Sequence, residues 1–196
     1  MKNNAKYIIG LTGLKQSGKD TVATMMFDWV YEMFPKTTPE FNMTHLYHRI
    51  AFADQLKQDI ACLTGGTVEA INKYKLQPAL RAILQWYGTD YCRANDPEHW
   101  IKVIREKIAA IPHGLIIITD VRFPNEEKLV HDFGGLLLRV ERKQVCQARD
   151  THSSETSVIS LLADRTIHNH GTKIMLHSEL KNLLPYVLQH FKLPLP

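Results

Sequence analysis

The residues Gly13-Leu14-Lys15-Gln16-Ser17-Gly18-Lys19 have the spacing G-x-x-x-x-G-K. They stand between an apolar run, YIIGLT at 7–12, and a stretch of helical periodicity that starts near residue 18. Glycines let a backbone curl so that several N–H groups point at one cluster of phosphate oxygens. A helix start adds partial positive charge, and Lys19 reaches the β- and γ-phosphates as a point charge. The bare pattern is weak alone; a strand before it and a helix after it give it meaning. Against this stands a Gly-rich strand-to-helix turn that binds nothing. Ser or Thr usually follows the lysine and holds Mg²⁺, but here Asp20 takes that place and Thr21 follows. Asp20 either holds magnesium, directly or through water, or caps the helix start.

A second acid, Asp120, ends the run LIIIT. An acid at the carboxyl end of a strand beside a phosphate loop can orient Mg²⁺ or its waters, or it can cap the next turn. The fork of Arg122 suits a phosphoryl oxygen and suits Glu126 or Glu127 equally well. Arg139 and Arg142 frame a polar stretch, 142–154, that holds Arg149 and reads as a mobile loop. Phosphoryl transfer needs positive charge that arrives on closure, with water kept out, and an arginine-bearing loop can supply both. Arg81, Gln85 and Trp86 fall at helical spacing. A cation for a 5′-phosphate, an amide for a base edge and a ring to stack on it are what a nucleoside monophosphate requires. The same three residues also fit a helix with Trp86 in the core and Arg81 in a surface pair.

The elements that must position these groups alternate. Strands are expected at 7–12, 46–52, 115–119 and 136–141, with a further short strand late in the chain. Helices are expected over 18–34, Ala53–Leu63, from Pro78, over 97–111, over 124–132 and at the end. In the last helix Leu176, Leu180, Leu183, Leu184, Val187, Leu188 and Phe191 share a face. Strands alternating with helices predict an α/β fold with a parallel sheet covered on both faces. A length of 196 residues suits one domain, or one domain with an insert. Charged residues make up 22%, an ordinary value for a chain with a real core.

A net charge of +4, with no block of five like charges, permits anionic ligands but does not argue for a nucleic-acid binder. Cys62, Cys92 and Cys146 lie far apart and support neither zinc nor a disulfide framework. His45/His48 and His168/His170 lack further ligands at metal spacing. The opening MKNNAK is too soon broken by Gly10 for a signal peptide, and no apolar run approaches the ~18 residues of a membrane span. The chain therefore reads as soluble and intracellular, with no membrane partner.

Taken in order, SGKDT (17–21), FADQLK (52–57), R-x-x-x-Q-x-x-GTD (81–90), ITDVRFPNE (118–126) and DTHSSE (150–155) resemble the deoxynucleoside monophosphate kinases of the phage type. These motifs span almost the whole chain, and DVRFPNE together with GKDT is specific. The resemblance implies a P-loop kinase fold with about five parallel strands, ATP and Mg²⁺ as cofactors, and a deoxynucleoside monophosphate as acceptor. It implies that Lys19 and the 13–21 loop hold the ATP phosphates. Asp54, Lys57, Arg81, Gln85, Trp86, Asp90 and Arg93 would serve the acceptor nucleotide, with Glu155 on the acceptor side. Asp120, Arg122 and Arg142 would lie near the transferred group, and Asp20, Thr21 or Asp120 near the metal. Residues 53–111 would form a helical acceptor-binding insert in a single domain of 1–196, and 142–155 a lid. The expected setting is the cytoplasm, that of the host if a phage encodes the chain. A homodimer is common for such enzymes, but no patch in the sequence marks an interface. Another small-molecule P-loop kinase, acting on phosphomevalonate or dephospho-coenzyme A, and a nucleotide-binding module without transfer activity are the competing readings.

Overall fold

A computed structural model describes residues 5–34, 43–143 and 153–195. The described chain divides into two compact units, one built from residues up to 50 and from 111 onward, the other from 51–110.

The first unit holds the sheet. Its strands are β1 (Lys6–Thr12), β2 (Tyr47–Ile50), β3 (Gly114–Ile118), β4 (Leu136–Glu141) and β5 (Arg165–His168). All pairs are parallel, in the order β2-β3-β1-β4-β5. Every residue of β3, GLIII, is buried, as is the second half of β1. An unbroken apolar run is what a strand inside a two-faced parallel sheet requires. Successive residues of β1 point to opposite faces. Ile9 and Leu11 enter a core shared with α1 (Lys19–Met25), α2 (Trp29–Met33) and α9 (Lys173–His190). Gly10 faces the other way, against Val130 of α7 (Pro124–Asp132); a Cβ there would stand 2.8 Å from Val130 Cγ2. Helices thus cover both faces. Chain order and sheet order disagree in the middle: the chain leaves β3 on one side of β1 and returns as β4 on the other. The carboxyl ends of the strands around such a reversal form the crevice of an open α/β sheet.

The single helix expected over 18–34 is two α-helices joined by a 3₁₀ turn at Met26–Asp28. No Gly or Pro accounts for the tightening, and the buried stripe Val22, Met26, Trp29, Val30, Met33 runs through it. The apolar face expected of the last helix is the face of α9 that enters the core, with Leu183 and Phe191 at its margin. Of the expected loop at 142–154, residues 144–152 lie outside the described set. The chain is helical from Ser153 to Ser160, which is α8.

The second unit is helical. It comprises α3 (Phe52–Thr64), α4 (Val68–Tyr74), α5 (Pro78–Gln85), a π-helical segment at Trp86–Arg93 and α6 (His99–Ala110). Ile60, Ala61 and Ile71 form its small core, with Leu56, Val68, Leu80, Leu84 and Tyr87 around them. Pro78 opens α5 at its first turn, where the missing N–H costs nothing. Among the described residues no helix is long and apolar enough to cross a membrane.

Candidate active site

β1 ends at Thr12 and α1 begins at Lys19, so the loop Gly13–Gly18 sits at the carboxyl end of the central strand. Three of its six residues have positive φ: Gly13 at 140°, Gln16 at 62° and Gly18 at 101°. A Cβ on Gly13 would collide with the Val140 carbonyl oxygen, and one on Gly18 with Asn169 Nδ2. Gly13 is therefore required by backbone angle and by a backbone neighbour, and Gly18 by its backbone angle, with the Asn169 amide filling the space a Cβ would take. The result is a tightly wound loop rather than an ordinary two-residue turn. Lys19 arches over it, donating from Nζ to the carbonyls of Gly13 at 2.6 Å and Leu14 at 2.8 Å. Two hydroxyls at the base, Thr12 Oγ1 and Ser17 Oγ, are buried and have no hydrogen-bond partner among the described residues. Buried polar atoms are nearly always satisfied, and an exception needs an explanation.

Asp20 lies in the first turn of α1. The cap position belongs to Gly18, with no side-chain hydrogen bond, so the capping alternative for Asp20 is not what the structure holds. Its carboxylate pairs with Arg49 of β2, Nη2 to Oδ1 at 2.5 Å, with both side chains well exposed (49% and 72%). An ion pair so wet is worth at most about 1 kcal/mol, and a metal or phosphate can replace it at little cost. Tyr47, two residues before Arg49, donates its hydroxyl to the Ala23 carbonyl. That carbonyl lies in the last turn of α1, just before the 3₁₀ turn at Met26–Asp28. Burial pushes the Tyr47 phenol up to about 12, against a smaller opposing pull from Arg49.

Asp120 follows β3 at the same end of the sheet. Its neighbours fix it: Thr119 N–H donates to Ile50 O at 3.1 Å and Val121 N–H to Leu11 O at 3.0 Å. Glu126 caps the turn into α7. This buried carboxylate accepts from the backbone N–H groups of Arg122 at 2.6 Å and Phe123 at 3.2 Å. Arg122 thus meets Glu126 through its main chain, while Glu127 accepts from the Leu162 N–H at 3.3 Å. Arg142 is exposed just beyond β4. Arg139, expected beside it at the edge of the polar loop, belongs elsewhere. It lies within β4, and its guanidinium donates to the carbonyls of Val158 at 3.0 Å and Leu161 at 2.6 Å, holding the end of α8. Arg149 lies outside the described residues, and so does the side chain of Glu155, whose backbone is in α8.

In the second unit, Asp54 and Lys57 stand one turn apart in α3, with Nζ 3.9 Å from Oδ1. Arg81 and Gln85 lie one turn apart on α5, and Trp86, Asp90 and Arg93 follow on the π-helical segment. Trp86 is not a core residue: it is 54% exposed, with its ring 5.7 Å from that of Tyr91, itself 51% exposed. Tyr87 stacks on Tyr91 at 5.8 Å and 18°. Burial raises the Tyr87 phenol and the Cys92 thiol, both on the inner side of this segment. The π turn lets Gly88 press on Leu56, whose Cδ2 would be 3.1 Å from an added Cβ. The Trp100 indole N–H donates to the Gly88 carbonyl at 2.8 Å. π-helical turns gather at functional sites because they turn side chains out of the ordinary helical register.

The sequence reading missed Arg49 and Asn169. Asn169 follows β5 and donates from Nδ2 to the Ser17 carbonyl at 2.8 Å. Both residues sit at or beyond carboxyl ends of strands, which was the one signal available. Among the described residues no group of three or more His, Cys, Asp or Glu side chains stands close enough to hold a metal ion unaided.

A glycine-cradled loop after the central strand of a five-stranded parallel sheet defines an α/β nucleotide-binding protein of the P-loop kinase type. The family described as deoxynucleotide monophosphate kinase matches residues 30–180, and the chain belongs to that family. A protein of Acanthamoeba polyphaga mimivirus, provisionally named deoxynucleotide monophosphate kinase, is 27% identical over 176 residues. That match covers 79% of this chain and 83% of the mimivirus protein. The deoxynucleoside-5′-monophosphate kinase of Escherichia phage T5 is 23% identical, over 77% of this chain and 84% of its own. Among solved structures, the Mycobacterium tuberculosis APS kinase CysC in complex with AMPPNP and APS is similar at 13% identity and a TM-score of 0.44. That similarity covers 92% of this chain and 98% of the other.

Proposed function

We propose that the protein transfers the γ-phosphoryl group of ATP to the 5′-phosphate of a deoxynucleoside monophosphate, giving ADP and the deoxynucleoside diphosphate. The observation that carries this is the loop itself. Three positive-φ residues, two of them glycines, and a lysine held against loop carbonyls support the reading of this loop as a cradle for a polyphosphate. The family match supplies the class of acceptor.

In this reading residues 13–21 grip the ATP phosphates through backbone N–H groups, and the Lys19 ammonium moves from the Gly13 and Leu14 carbonyls to β- and γ-oxygens. An acceptor phosphate oxygen attacks the γ-phosphorus in line; the bond to the β–γ bridging oxygen breaks, and ADP leaves with that electron pair. The attacking oxygen is already anionic, so no strong base is required. Arg122 and Arg142 would balance charge on the equatorial oxygens as it spreads. In the second unit, Arg81 would take the acceptor phosphate, with Lys57 and Arg93 adding charge. Gln85 would read a base edge, and Trp86 would offer it a face. Asp54 and Asp90 would hold sugar or base groups, with Glu155 on the same side. We propose residues 53–111 as the acceptor-binding insert of the domain and 142–155 as the lid.

The residues present fit a magnesium ion that is shared with the phosphates rather than caged by protein. Asp20 is exposed and held in a wet ion pair, and Ser17 Oγ at the loop base has no partner among the described residues. Mg²⁺ keeps waters and takes one or two protein oxygens beside substrate phosphates. Asp20, Thr21 or Asp120 would hold it, where it would neutralise charge on the β- and γ-oxygens.

A coupled ADP-release assay with ATP, Mg²⁺ and a panel of acceptors tests the proposal. The panel holds dTMP, dGMP, dCMP, dAMP, their ribo counterparts, mevalonate 5-phosphate and dephospho-coenzyme A. Stimulation well above basal hydrolysis is expected with one or more deoxynucleotides. Stimulation by a non-nucleotide alone would keep the loop and overturn the acceptor. No stimulation by any of them would overturn transfer to these acceptors.

A further inference from the structure

Asn169 is a buried polar residue for which the mechanism above has no use, and it rests on the candidate phosphate loop. It is 9% exposed. Its backbone N–H donates to the Glu141 carbonyl at 2.7 Å, which ties it to the end of β4. Its side-chain Nδ2 donates to the Ser17 carbonyl at 2.8 Å, across 152 residues of chain. The same nitrogen occupies the space where a Cβ on Gly18 would have to go.

A trans peptide points its carbonyl and its N–H in opposite directions. The Ser17 carbonyl and the Gly18 N–H belong to one peptide plane. With that carbonyl turned to Asn169, the Gly18 N–H is turned away from Asn169. The plane is poorly fixed by local sequence, because a glycine at φ 101° and ψ 18° has many alternatives open to it. An amide anchored on β4 and aimed at one carbonyl removes that freedom.

We infer that Asn169 is a positioning residue for the phosphate loop: its amide sets the Ser17–Gly18 peptide so that the Gly18 N–H serves as a donor to a bound polyphosphate. Gly18 and Asn169 then form one device, since only glycine leaves room for the amide. The inference rests on the reading of residues 13–21 as the phosphate site. It predicts that loss of the amide weakens the grip on the donor nucleotide and leaves the acceptor alone. A buried asparagine that only satisfies its own polar atoms would instead alter stability without this selectivity.

The test is calorimetric titration of the full-length protein, and of Asn169→Ala and Asn169→Asp, with ATP and with inorganic tripolyphosphate. KM and kcat for both substrates are measured alongside. Asn169→Asp keeps the shape of the side chain but turns an acceptor toward the Ser17 carbonyl. Both variants should bind ATP and tripolyphosphate about ten-fold more weakly, the effect expected from one hydrogen bond that orders a site. The KM for ATP should rise in step while the KM for the acceptor stays within two-fold, on the order of experimental scatter. Triphosphate affinity equal to that of the parent in a folded variant would overturn the inference. Asn169→Ser serves as a third variant should either of the others fail to fold, and parental affinity in that variant would overturn the inference equally. A parent protein that binds neither ATP nor tripolyphosphate would overturn the reading of the loop itself, a result distinct from unaffected variants of a parent that binds both.

Discussion

Lys19 donates to two carbonyls of its own loop, so its ammonium is already where phosphate oxygens would compete for it. Those two bonds are half-exposed, and water replaces such bonds at a net cost of about 1 kcal/mol. Lys19→Met should therefore leave the unfolding midpoint within a few degrees of the parent. The transition state differs, since charge there builds on the oxygens that the Lys19 ammonium is placed to meet. Removing a preorganised charge partner of that kind typically costs on the order of 10²- to 10³-fold in turnover. The expected outcome is a folded protein whose acceptor-stimulated ADP release falls by that factor, read by circular dichroism and the coupled assay on the same sample. A folded variant with full activity would remove Lys19, and the loop with it, from the proposed chemistry. Much of this is legible in the sequence alone: Gly13, Gly18, Lys19 and Asp120 announce themselves by spacing and by strand ends. Asn169 and Arg49 do not, because their roles depend on which strands lie side by side. A single Asn or Arg after an apolar run carries no such information.

At the scale of elements, Tyr47 joins β2 to the last turn of α1, and its ring packs edge-on against Phe27 at 5.5 Å. Its phenol is pushed from 10 up to about 12 by burial. An acid with a raised folded-state pKa holds its proton more tightly in the native state, so the stability linked to it is intact below pH 10. It is lost as pH climbs from 10 toward 12. Stability measured by urea unfolding should decline across that window. Tyr47→Phe should flatten the decline while costing about 1 kcal/mol at neutral pH, because the Ala23 carbonyl loses its donor. An identical alkaline slope in parent and variant would show that the phenol is not the group responsible. Strands and long helices were legible because their burial leaves a pattern: β3 is an unbroken apolar run, and α7 begins at Pro124 as its sequence predicts. α4 falls in the expected helical insert but was not placed as a helix of its own, although Thr67 caps it, accepting from the Ala70 N–H at 3.1 Å. Only Ile71 of that helix is buried, so it has little apolar stripe to detect. The π turn at Trp86–Arg93 was invisible for another reason. α- and π-helical turns use the same residue types, and the wider turn comes with long-range packing, of Gly88 on Leu56 and of Trp100 on the Gly88 carbonyl, that no local pattern shows.

For the whole molecule, two compact units and two proposed ligands make stability a separate reporter of each binding event. A ligand that binds only the native state adds RT ln(1 + [L]/Kd), about 2.7 kcal/mol at a hundred times Kd. For a chain of this length each kcal/mol moves the unfolding midpoint by roughly 2–4 °C, so saturating ATP should raise it by about 5–10 °C. A deoxynucleoside monophosphate that the enzyme accepts should produce a shift of its own in the absence of ATP. The proposed division of labour then makes a sharper demand. Lys19→Met should lose most of the ATP shift and retain the monophosphate shift, whereas Arg81→Ala should do the reverse. Differential scanning fluorimetry on the two variants, with each ligand in turn, must show this crossed pattern. If both ligands lose their shift in Lys19→Met, the loop holds the acceptor as well as the donor. The assignment of acceptor binding to the 51–110 unit would then fall, because one phosphate cradle would be serving both substrates.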